Sequence, residues 1–149
     1  MLGYANNPKA TAETLDDDGW LHTGDLAYYD KDDIIYLTDR IKDLIKVKGH
    51  QVAPTELENL IQTLENVREV AVAGVPNERL GEAPRAWIVP VPGTTIDKMA
   101  VMKHVADNVA QYKQLAGGIE VVKSIPRNHI GKILRKELKK AFVSTVSKL

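Results

Sequence analysis

The 149-residue chain has no cysteine, a single phenylalanine and no surplus of either charge. The missing cysteines exclude disulfide bonds, cysteine-ligated zinc and a cysteine nucleophile, and they fit a chain that never meets an oxidising compartment. Twenty basic and 20 acidic residues cancel, so net charge gives no support to nucleic-acid or anionic-membrane binding, although the last third is locally basic. No apolar run approaches the roughly 18 residues that a membrane-spanning helix needs. The opening MLGYANNPK is neither a signal peptide nor a basic amphipathic presequence. Internal repeats and low-complexity tracts are also absent. What remains is 44% hydrophobic and 27% charged, enough to bury one sizeable core, and the expectation is a soluble globular protein with no membrane span and no nucleic-acid partner.

Residues 1–19 are polar and turn-prone, with Asn6-Asn7-Pro8 and Asp16-Asp17-Asp18-Gly19, and are expected to run over a surface. The aspartate run lacks the ligand spacing and terminal glutamate of a calcium loop, so no metal site is expected there. Short strands are predicted over residues 21–23, 26–29 and 34–38, the last two joined as a hairpin through Asp30-Lys31-Asp32-Asp33. A hairpin this small is marginal by itself. Residues 1–41 therefore read as the terminal β segment of a larger body.

Residues 36–52, YLTDRIKDLIKVKGHQV, mix fixed charge with strand formers and predict a hinge that opens into a short strand pair. A helix follows from Pro54, with Thr55 as N-cap and Glu58 in the capping-box position; Leu57, Leu60, Ile61 and Leu64 fall on one face. Strands are predicted over residues 67–75, 83–91 and 119–125. A second helix starts at Asp97, with Val101, Val105 and Val109 on one stripe beside Met102. A basic amphipathic helix covers residues 135–146. The order gives residues 42–149 as a compact α+β domain, with a β-hairpin and a three-stranded sheet flanked by helices.

Few side chains point to chemistry without further context. Asp25, after Gly24, is either a solvated turn carboxylate or an acceptor for a ribose diol. Lys132 follows Gly131, a residue that lets the backbone turn so that the lysine projects as a point charge. It is not a P-loop lysine, because Pro126 stands where that motif needs glycine. Lys132 is either a solvated lysine ahead of a helix or a grip for a carboxylate and a phosphate oxygen. His50 and His129 lack the partners of metal or triad chemistry and read as loop histidines. Tyr112-Lys113 and Trp87 read as packing residues.

Four stretches in series, GYANNPKAT with GWLHTGD, DRIKDLIKVKGHQVAPTELE, GVPNERLGEAPRAWIV and IPRNHIGKILRKEL, resemble successive motifs of the AMP-forming acyl-CoA synthetases. This is the adenylate-forming superfamily that includes the 4-coumarate:CoA ligases and beetle luciferases. The resemblance covers nearly the whole chain and corresponds to the carboxyl-terminal part of those enzymes. It implies that ATP, Mg2+ and coenzyme A are bound mainly by a large preceding domain. It also implies that a carboxylic acid is activated to acyl-AMP and then passed to CoA as a thioester. Asp25 and Arg40 are similar to the pair that holds the ribose hydroxyls. Lys42 lies at the hinge position, and Lys132 matches the lysine that contacts carboxylate and phosphate during adenylation. Lys46, Lys48 and Gly49 lie on the face that swings in for thioester formation, and Gln51 matches a residue near the adenylate.

Asn128, His129 and Ile130 stand where the family usually has small hydroxyl-bearing residues. The phosphate loop, acyl pocket and catalytic glutamate of the large domain are expected upstream of Met1, so the isolated chain is expected to be inactive. Ser147-Lys148-Leu149 reads as a peroxisomal address, recognised by the peroxisomal import receptor if it is the true terminus. Two other readings stand beside the ligase: a non-catalytic module that binds a partner or nucleotide, and a luciferase-like oxidative enzyme.

Overall fold

In a computed structural model describing residues 1–146, the chain divides into two compact units, Met1–Lys42 and Asp43–Leu149. The sequence reading placed this boundary one residue earlier. The address tripeptide, Ser147-Lys148-Leu149, lies outside the described residues.

The first unit opens with a helix, α1 (Pro8–Thr14), where the sequence reading expected only surface coil. The Asn-Pro pair taken as a turn signal is equally a helix start. The Asn7 side chain accepts from the Ala10 amide at 3.1 Å, and Pro8 sits in the first turn, where its missing N–H costs nothing. Residues 21–23 form no strand; only an isolated bridge, Leu15 to Leu21, is present. β1 (Asp25–Tyr29) and β2 (Ile35–Arg40) make the antiparallel hairpin, with a bulge between Leu26 and Ala27. Asp30 closes its turn. Its carboxylate accepts from the Asp32 and Ile34 amides and from the Tyr36 hydroxyl, at 2.9, 3.1 and 2.9 Å. The Ile34 amide first, then the Tyr36 hydroxyl, holds its pKa below the ordinary carboxylate value. That contribution to the turn is present at neutral pH and is lost on acidification. No residue of this unit is buried, and Tyr29, Ile35 and Leu37 are each more than 70% exposed.

The second unit holds the core. Its elements are β3 (Ile45–Val47), β4 (His50–Val52), α2 (Pro54–Gln62), β5 (Val67–Asn77), β6 (Gly81–Pro90), α3 (Lys98–Asn108), β7 (Ile119–Val121) and α4 (Arg135–Val146). The expected hairpin and three strands join into one five-stranded sheet in the order β4-β3-β6-β5, with β7 also on β6. β5 and β6 pair antiparallel along nearly their whole length. The other edge of β6 is shared by β3, at Val47–Gly81, and by β7, parallel, beside Ala86–Ile88.

Both faces of this sheet are covered, which is why REVAVAGV and RAWIV are almost continuously apolar instead of alternating. Val70, Val72, Ala86 and Ile88 face Leu57 and Ile61 of α2 and Val101 and Val105 of α3. Ala71, Ala73, Trp87 and Val89 face the other way, onto Leu138 and Phe142 of α4. The two alanines leave room for Trp87, which is 2% exposed. Two capping expectations divide here. Asp97 caps α3, accepting from the Met99 and Ala100 amides. Thr55 does not cap α2, whose N-cap is Ala53 with Pro54 in the first turn.

Because every buried hydrophobic side chain among the described residues lies at or after Leu44, deleting residues 1–42 should leave a domain that unfolds cooperatively with an unchanged thermal midpoint by circular dichroism. Loss of the transition would show that the first unit supplies part of the core.

Candidate active site

Three places carry the residues singled out from the sequence. The first is the β3–β4 hairpin. Ile45 and Val47 are buried, so the alternation of the strand turns Lys46 outward, opposite Gln51 in the pairing register; both are exposed. Lys48 and Gly49 make the two-residue turn with φ of +46° and +82°. Both are left-handed, as a type I′ turn requires, and the lysine holds this conformation without glycine's freedom.

The turn is tethered on two sides. The Lys48 amide donates to the Leu80 carbonyl at 2.9 Å, and the His50 ring stacks on Tyr112 with centroids 4.2 Å apart. Next to Tyr112, the Lys113 ammonium donates to both carboxylate oxygens of Glu56 at 2.7 and 2.8 Å. His50, Tyr112 and Lys113, read from sequence as a loop residue and packing residues, thus anchor the hairpin tip to α2. A mostly apolar cleft of about 570 Å³ opens beside Lys48, lined by Leu80, Met99, Met102, Tyr112 and Leu115 among others.

The second place is the segment between β7 and α4. Lys132 is exposed, and among the described residues no carboxylate pairs with its ammonium or with those of Lys42, Lys46 and Lys48. Three residues further on, Arg135 donates from Nη2 to both oxygens of Glu58 at 2.7 and 2.8 Å, and from Nε to the Val72 carbonyl at 3.1 Å. Glu58 in turn accepts from the Val72 amide at 2.8 Å. Glu82 forms a second clasp, accepting from the Lys46 amide at 3.0 Å and from the Lys139 ammonium at 3.1 Å. Gly74 leaves the space for it, since a Cβ there would lie 2.7 Å from Ile45 and 2.9 Å from Glu82. The sequence reading missed Glu82 and gave Glu58 a capping role.

The third place belongs to the first unit. Asp25 and Arg40 face each other across β1–β2 and form an ion pair, with Arg40 Nε 2.7 Å from Asp25 Oδ1. Lys42 is exposed in a single 3-10 turn, Ile41–Asp43. Among the described residues, no group of three or more His, Asp or Glu side chains converges as metal ligands.

Residues 56–132, just over half the chain, match the family described as AMP-binding enzyme C-terminal domain. Luciferin 4-monooxygenase of Luciola mingrelica is 42% identical over 100% of this chain and 27% of its own length. Peroxisomal OPC-8:0-CoA ligase 1 of Arabidopsis thaliana is 46% identical over 97% of this chain and 26% of that protein. The chain thus spans about a quarter of the relatives it matches. Among solved structures, ATP-bound MatB from Rhodopseudomonas palustris superposes with a TM-score of 0.87 at 33% identity, over 94% of this chain and 28% of MatB. Apo MatB, over the same share, gives 0.71.

The hairpin tip offers a test of the backbone geometry. A Cβ at Gly49 meets nothing within 4 Å, so Gly49→Ala isolates the left-handed backbone and should cost about 1–2 kcal/mol in urea unfolding. Lys48→Asn, which tolerates that conformation, should be neutral or stabilising. Equal stability of wild type and Gly49→Ala would refute the assigned turn.

Proposed function

Because this chain belongs to the family of AMP-binding enzyme C-terminal domains, we propose that Asp43–Leu149 serves as the small mobile domain of an acid:CoA ligase, with Met1–Lys42 as the terminal part of the large domain. The observation that carries this reading is the separation of two exposed cationic elements. The Lys46–Gln51 hairpin and the Lys132 segment stand at different places on one sheet-and-helix body, and among the described residues the ammonium groups of Lys46, Lys48 and Lys132 pair with no carboxylate.

The chemistry asks for cations in sequence. A carboxylate oxygen attacks the α-phosphorus of ATP, and the bond to pyrophosphate breaks. Lys132 lies between the two anions and offsets their repulsion; a cation at 4 Å contributes on the order of 4 kcal/mol at an effective dielectric of 20. In the second step the CoA thiolate attacks the acyl carbon and AMP leaves. Lys46, Lys48, the Gly49 backbone and Gln51 then face the adenylate and the incoming cofactor. Throughout, Asp25 and Arg40 hold the ribose, with Arg40 fixing one carboxylate oxygen and leaving Oδ2 for the diol.

One reaction centre uses both lysine sets only if the body that carries them moves, and Lys42 at the unit boundary is the pivot. The luciferase relative supports an oxidative second step as the other outcome of the same adenylate. The peroxisomal ligase relative supports a peroxisomal location; Ser147-Lys148-Leu149 would be read by the import receptor only where it is the true terminus of the protein.

With the chain joined to the large domain of a relative, Lys132→Ala should lower ATP–pyrophosphate exchange by about 10² to 10³-fold. Thioester formation from supplied acyl-AMP should stay nearly intact, and equal loss in both assays would remove the role given to Lys132. Lys42→Pro should stiffen the pivot and slow the second step more than the first; an unimpaired second step would count against it.

A further inference from the structure

The peptide group between Gly131 and Lys132 is gripped by side chains at both of its polar atoms. Arg127 Nη1 donates to the Gly131 carbonyl at 2.8 Å, and its Nη2 reaches Glu69 on β5 at 3.1 Å. On the other side, Asn128 Oδ1 accepts from the Lys132 amide at 2.8 Å and from the Ile130 amide at 3.2 Å. The main chain closes the same turn. The Asn128 amide donates to the Lys132 carbonyl at 2.9 Å, the Gly131 amide to the Asn128 carbonyl at 3.0 Å, and the Leu134 amide to the Pro126 carbonyl at 2.9 Å. Gly131 supplies the left-handed residue, at φ +82°.

We propose that Asn128, assisted by Arg127, is a positioning residue that sets the direction in which Lys132 leaves the backbone. Fixing the peptide plane before Lys132 while the Asn128 amide holds the Lys132 carbonyl on its other side restricts φ, and so the Cα–Cβ vector, from which the four side-chain torsions of the lysine start. Asn128 is half-buried, whereas the neighbouring His129 and Ile130 are exposed, which singles it out as the structural member of the three. Its carboxamide oxygen reaches two amides at once, so one side chain closes the turn at both. The catalytic meaning of this arrangement rests on the adenylation role proposed for Lys132; the geometry does not.

Two measurements separate these. In the 149-residue chain labelled with 15N, Asn128→Ala should speed hydrogen exchange of the Lys132 amide by about tenfold, as expected for one lost hydrogen bond. The amides of Ala71 and Trp87 in the sheet should stay unchanged, which checks that the variant is folded. Asn128→Asp keeps the acceptor and should restore protection, while Arg127→Met should loosen the same peptide from its other side. In the chain joined to a relative's large domain, Asn128→Ala should lower kcat for adenylation by about tenfold, with KM for ATP and for thioester formation unchanged and with rescue by Asn128→Asp. Unaltered Lys132 exchange in both Asn128→Ala and Arg127→Met would overturn the positioning role. So would an unaltered adenylation rate in Asn128→Ala when Lys132→Ala abolishes it. Adenylation that survives Lys132→Ala would instead overturn the function assigned to that lysine and leave the exchange result standing.

Discussion

The ion pair between Glu58 and Arg135 holds together the parts of the second unit that matter for function. β5 is the edge of the sheet, so the outward N–H and C=O of Val72 have no strand to bond. Glu58 from α2 takes the amide, Arg135 from α4 takes the carbonyl, and the two side chains bond each other bidentately. With side-chain exposures of 13% and 16%, neither charge has enough water to stand alone. Removing one partner from such a buried pair typically costs about 3–5 kcal/mol, although the intact pair contributes little net stability over a well-packed apolar substitute. Its use is therefore registration. Two helices from opposite faces of the sheet are pinned to one residue of an edge that would otherwise invite another strand.

The consequence for the candidate site is that its two cationic elements cannot drift independently. α2 follows β4 within two residues, so fixing Glu58 fixes the base of the Lys46–Gln51 hairpin. Arg135 opens the helix directly after the Lys132 turn. Glu82 adds a second tie between the same parts, from the Lys46 backbone to Lys139 of α4. On the proposed mechanism, a body built this way would exchange one lysine for the other by moving as a whole. The first unit shows the complementary condition: its apolar hairpin side chains are exposed and it contains no buried residue.

How much of this could be read from the sequence depended on the range of the interaction concerned. α4 was legible to its ends because its apolar stripe and basic face repeat with helical period. The β5–β6 strands were legible because β-branched runs are bounded by prolines, and Asp97 because an N-cap acts within three residues. Thr55 and Glu58 also formed a valid local capping signature, but Pro54 already provides the first turn. The carboxylate is committed to an arginine 77 positions away, a partner that no local rule can find. The Lys132 turn lies between these extremes. Gly131 announced it, whereas the acceptor function of Asn128 became visible only with the Ile130 and Lys132 amides in place. For α1, Asn6-Asn7-Pro8 reads equally as a turn and as a helix start, and seven residues are too few for a periodic face to decide between them.

The most direct test of this account is a double-mutant cycle on the Asp43–Leu149 unit, comparing Glu58→Ala, Arg135→Ala and the double variant by urea unfolding. A registering pair predicts large single losses and a coupling energy of about 2–3 kcal/mol, the upper part of the range for contacting residues. The double variant should then lose clearly less than the sum of the two single losses. A coupling below about 0.5 kcal/mol, the scale found for independent sites, would contradict the claim that this pair fastens the hairpin and the Lys132 segment to one sheet.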